Sequence, residues 1–279
     1  KSGAILAMVG SINYFDLQND GQVNVTIRDR QPGSSIKPLT YAVAFEKGMS
    51  PSSIVDDAPI TYRTPGSPPY SPKNYDGRYR GIVTLRTALA SSLNIPAVKT
   101  LSAVGVDAVV QKGRQMGITT WGEQEASRFG LALTLGGGEV KMTDMAVLYG
   151  TFANNGVTVN LDPLLSVQDA KNQKLYTNPC AETDRPCNGT QTLDTRIAYQ
   201  ISNILADNVA RAPAFGVNSV LNIPNAYVPV KTGTTNSLRD NWTIGYTPDF
   251  VVLSWVGNND NSSMSSVASG ITGASPIWN

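Results

Sequence analysis

Along the chain, short apolar or alternating runs stand near both ends, and a helical period of apolar residues fills the middle. Strands are predicted at Ala4 to Val9 and at Val23 to Arg28. Ile36, Leu39, Val43 and Ala44 then recur at helical spacing and stop at Gly48, so a helix opens near Ser34. Residues 56–80 are rich in Pro, Tyr, Gly and Ser without helical period and read as an ordered surface loop, with a structural turn at Asn74 to Gly77. From Val83 to about Gly156 the pattern is helical again. Thr84 can cap a helix carrying Leu85, Ala88 and Leu89; Pro96 can open one carrying Val98, Leu101 and Val104; Thr143 can cap one carrying Met145, Leu148, Tyr149 and Phe152. A further helix starts at Asp194 with Ile197, Ile201 and Leu205. The last third returns to strands at Val228 to Thr234, Trp242 to Tyr246 and Phe250 to Val256, joined by turns at Asn236-Ser237 and Thr247-Pro248-Asp249. The expected fold is therefore α+β: one antiparallel sheet built from both chain ends, flanking helices, and an inserted all-helical lobe at about 83–156. A cleft between sheet and helices is the natural place for a site.

Charged residues make up only 15% of the chain and the net charge is +1, which offers neither a nucleic-acid surface nor a disordered tail. No run approaches the ~18 apolar residues that span a bilayer, and no signal-peptide pattern follows Lys1. The chain opens directly on an apolar run at Gly3 and ends at Trp278-Asn279. Residues 1–279 thus read as one domain cut from a longer protein, with any membrane anchor or partner domain outside it. Cys180 and Cys187 lie in a polar, Pro-rich stretch. With no histidine to help, two cysteines make no structural zinc site, and no metal or cofactor is expected. They would pair outside the cytoplasm, or remain two free thiols in a mobile loop.

Only one of the ten lysines, Lys37, has a serine or threonine three positions upstream, and that residue is Ser34. On a helix, residues three apart share a face, which sets an amine beside a hydroxyl. A serine hydroxyl is a weak nucleophile until a base takes its proton. The absence of histidine excludes a Ser-His-Asp triad. Lysine can substitute only if burial or a neighbouring cation depresses its pKa. A second cation or hydroxyl near Lys37, and backbone donors for an oxyanion, should then exist.

Two further motifs supply them. Lys231-Thr232-Gly233-Thr234-Thr235-Asn236 ends a predicted strand, and Ser92-Leu93-Asn94 lies between predicted helices. Taken alone, Lys231 also reads as a surface strand lysine and Asn94 as a helix cap. Ser11-Ile12-Asn13 fits the Ser-x-Asn pattern too, but it precedes the nucleophile and ends a strand.

Together with Arg30-Gln31-Pro32-Gly33-Ser34-Ser35-Ile36-Lys37-Pro38, Asn74-Tyr75-Asp76-Gly77, Leu135-Gly136-Gly137-Gly138-Glu139-Val140 and Asp240 to Pro248, these motifs resemble the transpeptidase domain of class A, bifunctional penicillin-binding proteins over essentially the whole chain. The resemblance implies an acyl-enzyme at Ser34 formed from a peptidoglycan stem peptide, and an amine acceptor that completes the cross-link. It implies Lys37 as base, assisted by Lys231; Ser92 as proton relay; and Asn94 holding Lys37 or the substrate amide. Thr232, Gly233, Thr234 and Thr235 would form the substrate-binding strand. Stem peptides and β-lactam antibiotics are the implied partners, with a glycosyltransferase domain and membrane anchor preceding the domain on the extracytoplasmic face of the bacterial membrane. Three other readings share the motifs: a β-lactamase, a D-Ala-D-Ala carboxypeptidase and a catalytically idle β-lactam sensor. The first lacks its Glu-x-x-Leu-Asn deacylation motif here.

Overall fold

The computed structural model describes residues 2–279 except 64, 65, 67, 124, 125, 179, 181–188, 236, 237 and 265–270. In chain order the elements are α1 (Lys37–Glu46), β1 (Ile54–Asp57), β2 (Gly81–Thr84), α2 (Leu85–Ala90), α3 (Asn94–Val104), α4 (Val106–Gln115), α5 (Ala126–Phe129) and α6 (Met142–Ala153). There follow β3 (Val157–Thr158), β4 (Ser166–Gln168), β5 (Lys174–Thr177), β6 (Thr190–Gln191), α7 (Thr195–Leu205), α8 (Asn208–Phe215), β7 (Val230–Thr234), β8 (Asn241–Tyr246), β9 (Val251–Val256) and α9 (Ser275–Trp278). The class is α+β.

Helix α1 is the axis of the molecule. Every residue from Lys37 to Phe45 is buried, because the helix is apolar on all sides and packs against α3, α4 and α7. Ile36 and Leu39 are 0% exposed, each such side chain contributing about 1.5–3 kcal/mol of burial. The main sheet runs in the order β7-β8-β9, all antiparallel, with Lys231 opposite Ile244 and Thr234 opposite Asn241. Its centre, β8, is buried along its whole length, and Trp242, Ile244 and Tyr246 join the core of α1, α6 and α7. β7 is an edge strand whose open side meets the 3-10 turn Gly33–Ile36 ahead of α1.

The two N-terminal strands are not formed, so the main sheet comes from the C-terminal third alone. Val25–Ile27 is a 3-10 turn capped by Asn24. Residues 4–9 have no regular structure. Backbone bonds from Asp162 N to Gly3 O and from Val25 N to Gly10 O pin the two ends of that segment. It is thereby held across a cavity of about 1040 Å³ from β9 and α6, not on the strand edge.

Helix signals fare differently by type. Thr84 caps α2 by accepting from Thr87 N, and Asp194 caps α7 by accepting from Arg196 N. α3 begins at Asn94, ahead of Pro96, which is tolerated in a first turn where its missing N–H has no partner. α6 begins at Met142, so Thr143 lies inside it and caps nothing. The ends of the predicted 56–80 loop pair as β1 and β2, Asp57 opposite Gly81. The turn at Asn236-Ser237 lies outside the described residues, whereas Thr247 turns the chain by accepting from Asp249 N and Phe250 N.

Candidate active site

Ser34 sits in the 3-10 turn Gly33–Ile36, partly exposed, while Ser35, Ile36 and Lys37 behind it are buried. The turn is fixed from several sides. Ser35 Oγ donates to Pro32 O (2.7 Å), Tyr149 Oη to Ser35 O (2.7 Å), and Trp242 Nε1 to Gln31 O (2.9 Å). Two glycines let it lie backbone-to-backbone against β7. Gly33 has φ +55, and a Cβ there would stand 2.6 Å from Thr234 O and 2.8 Å from Thr234 N; one on Gly233 would collide with Pro32 O. Only residues without a Cβ permit this approach. It draws the backbone of Ser34 and the edge of β7 together.

The helical side supplies Lys37 and the Ser-x-Asn motif. Lys37 Nζ donates to Ser92 O (2.7 Å) and Asn94 Oδ1 (2.7 Å) and stands 3.4 Å from Ser92 Oγ. Among the described residues no hydrogen bond joins it to Ser34. Ser92 has φ +57, a conformation costly for a residue with a Cβ. That turn between α2 and α3 brings both its carbonyl and its hydroxyl to the amine. From the sheet side, Lys231 Nζ donates to Ser92 Oγ (2.8 Å) and to Thr232 O (2.8 Å). Ser92 thus bridges two lysines that are both buried, Lys37 at 0% and Lys231 at 3% exposure. A cavity of about 350 Å³ opens beside Asn94, lined by Ser71, Lys73, Asn74, Tyr75 and Leu135.

Burial has a direct electrostatic consequence, because it disfavours the charged form of an amine. Desolvation, then the positive charge of Lys231, holds Lys37 well below its usual range. Desolvation, then the Arg211 guanidinium, pushes Lys231 down to about 7. The two amines thus differ in their second cause, a facing lysine for Lys37 and a guanidinium for Lys231. A neutral amine has two hydrogens. Ser92 O and Asn94 Oδ1 accept both, which leaves the lone pair of Lys37 free to take a proton.

Thr232 is buried on β7 and Thr234 lies half-buried near its end, their side chains on one face by strand alternation. Thr235 does not join them. Its Oγ1 accepts from Arg239 N (3.2 Å) and Asp240 N (3.1 Å), so its oxygen helps to hold the β7–β8 connection. Arg211 escaped the sequence reading: it lies within α8, an unpredicted helix with Pro213 inside it, and only its position in an otherwise apolar stretch hinted at burial. Cys180 is buried and disulfide-bonded, whereas Cys187 lies outside the described residues. Among the described residues no cluster of acidic, histidine or cysteine side chains fits a metal ion.

Residues 1–275 match the family model described as the penicillin binding protein transpeptidase domain. The chain belongs to this family. Among curated relatives, it is 34% identical over 281 residues to penicillin-binding protein 1A of Neisseria meningitidis serogroup A, covering 100% of this chain and 34% of that protein. It is 29% identical over 299 residues to penicillin-binding protein 1A of Rickettsia bellii, covering 100% of this chain and 36% of the relative. The chain therefore spans about a third of the length of these relatives. The crystal structure of penicillin-binding protein 1A from Haemophilus influenzae superposes with a TM-score of 0.80 at 27% identity, covering 97% of this chain and 44% of that one. PonA1 of Mycobacterium tuberculosis, solved in complex with penicillin V, shares the fold with a TM-score of 0.76 at 23% identity, over 91% of this chain and 69% of that one. Among the described residues of this penicillin-binding protein domain, no helix is long and apolar enough to cross a membrane.

Proposed function

We propose that the domain is a serine D,D-transpeptidase that cross-links peptidoglycan stem peptides through an acyl-enzyme on Ser34. The observation that carries the reading is the row Lys37–Ser92–Lys231, in which one hydroxyl lies 3.4 Å from a buried amine with a strongly depressed pKa and 2.8 Å from a second buried lysine. In this reading the lone pair of Lys37 takes the proton of Ser34 as Oγ attacks the penultimate D-alanine carbonyl. The N–H groups of Ser34 and Thr234 face the oxyanion that forms. The proton then passes from Lys37 through Ser92 Oγ to the leaving nitrogen, the C–N bond breaks, and D-alanine departs. An amine of a second stem then loses its proton along the same row and attacks the ester, forming the new amide and restoring Ser34. Lys231, with Thr232 and Thr234, holds the terminal carboxylate of the donor. A β-lactam presents a reactive amide in the same place and would acylate Ser34.

The substrate fixes the place of action. Peptidoglycan lies outside the cytoplasmic membrane, so the domain works on that side, within a longer anchored chain that also carries a glycosyltransferase. The test is a D-Ala-D-Ala or thioester donor supplied with and without an amine acceptor. Aminolysis product that grows with acceptor concentration is expected. Hydrolysed donor alone, at every acceptor concentration, would mean a carboxypeptidase, and no consumption of any donor would mean a β-lactam sensor.

A further inference from the structure

Asn74 lies behind the row of reacting groups, yet both ends of its amide are fully engaged. Its Nδ2 donates to both carboxylate oxygens of Asp57 (2.7 and 2.9 Å) and to Arg78 O (2.8 Å). Its Oδ1 accepts from Asn94 N (2.8 Å) and Ile95 N (3.3 Å). Asp57 is 0% and Asn74 5% exposed. A carboxylate only accepts, so Asp57 decides which end of Asn74 faces it and turns the carbonyl oxygen toward α3. There the oxygen performs an N-cap's task from a distance, because the cap position of α3 is Leu93, which has no side-chain acceptor.

Asn94 is the first residue of α3, and its own amide is oriented in turn. Nδ2 donates to Lys73 O (2.8 Å), the residue before Asn74, which leaves Oδ1 to accept from Lys37 Nζ (2.7 Å). A directed chain of hydrogen bonds therefore runs from a buried carboxylate on β1, through two amides, to the amine beside Ser92. We propose that Asp57 and Asn74 are positioning residues for Lys37, setting the orientation of Asn94 and hence the place at which the amine meets the nucleophile.

The inference rests on the reading of Lys37 as base. Charged groups facing the chain are few. Asp57 meets Arg80 ahead of β2, whose N donates at 3.0 Å and whose Nη1 lies at 4.0 Å, and the phenol of Tyr41 on α1. Lys99 of α3 pairs with the neighbouring Asp56 at 3.8 Å, and Lys37 itself faces Lys231 of β7. None of these can replace the amide oxygen at the start of α3.

The experiment measures penicillin acylation of Ser34 against pH in folded variants. Asn74→Leu keeps the bulk but lets Asn94 turn and water reach Lys37. A ~10- to 100-fold slower acylation at pH 7 is expected, the range a misplacement of about 1 Å produces. The pH midpoint of acylation should also move upward, since a resolvated amine regains its usual affinity for a proton. Asp57→Leu should match Asn74→Leu, whereas Asp57→Asn retains an acceptor for Asn74 and should recover most of the rate and the original midpoint. The double variant Asp57→Leu/Asn74→Leu removes both halves of the buried pair and provides a folded protein if Asn74→Leu alone fails to fold. A merely structural role would lower melting temperature and active fraction without moving the midpoint. An unshifted midpoint and parental rate per folded molecule in Asn74→Leu, with Lys37→Met inert, would overturn the positioning role alone. Normal acylation by Lys37→Met would instead overturn the reading of the base.

Discussion

Lys37 enters the cleft from the first turn of a helix buried on every side, and Lys231 enters from an edge strand. Both amines are removed from water and both approach Ser92, yet they differ in what else surrounds them. Lys37 has two oxygen acceptors at 2.7 Å and a cation across the cleft; Lys231 has one carbonyl, one hydroxyl and, further back, Arg211. Burial lowers both pKa values, reinforced at Lys37 by the charge of Lys231 and at Lys231, which is pushed down to about 7, by Arg211; under the proposed function Lys37 is the base and Lys231 the cation that meets an anionic substrate. The helical wall provides a fixed amine and the sheet wall an adjustable charge. A residue type with a single ordinary pKa is thereby made into two different reagents by its surroundings alone.

The comparison breaks most severely at the helical wall. Lys37→Met keeps the side-chain volume but removes the base, and acylation by penicillin should slow by at least ~100-fold, the usual contribution of a general base. Its melting temperature at pH 7 should hold or rise, because a buried amine with a depressed pKa costs folding energy there. On the sheet wall, Lys231→Met should slow acylation by about 10-fold and move its pH midpoint upward, since Lys37 loses the cation that lowers its pKa. A stopped-flow series against pH measures both.

Stability carries the same signature more quietly. Lys231 binds its proton with a pKa of about 7 when folded and 10.5 ordinarily, so between these values the unfolded chain holds more protons than the folded one. Stability should therefore fall as pH drops through that window, at roughly 1.4 kcal/mol per unit for this group, and level off below about 7. Chemical denaturation of Lys231→Met should show an advantage over the parent that grows from pH 10 to pH 7; a constant offset would contradict the assignment. The smallest effect is selective. Thr232→Val with Thr234→Val should weaken acylation by donors with a terminal carboxylate several-fold, about 1 kcal/mol per hydrogen bond, and spare a neutral ester. Equal losses on both donors would make the threonines structural.

The residues that the fold gathers around Ser92 were legible as candidates in the sequence because each sits in a short local pattern whose spacing carries geometry. Ser34 and Lys37 share a turn, and Ser92 and Asn94 straddle the start of α3. The partners of Thr235 were not legible: its neighbours suggest a substrate strand, while its oxygen accepts from backbone N–H groups of a turn that only the folded chain defines. Asp57 and Asn74 were invisible as a pair because they lie 17 residues apart and nothing in their own segments marks burial, and Arg211 showed only the apolar stretch around it. The hairpin holding Asp57 hid inside a loop-like composition, as its strands are only four residues long and half of their residues are exposed. Residues 4–9 have the composition of a strand, but strand formation needs a partner edge, and the bonds at Gly3 and Gly10 hold the segment away from β9.

The most direct test of the account is where a β-lactam goes and how long it stays. Intact mass and peptide mapping after exposure to penicillin should show one covalent equivalent on Ser34, persisting for many minutes because the sequence has no Glu-x-x-Leu-Asn deacylation motif, and none in Ser34→Ala. An adduct that survives unchanged in Ser34→Ala, or one that turns over rapidly in the parent, would contradict it.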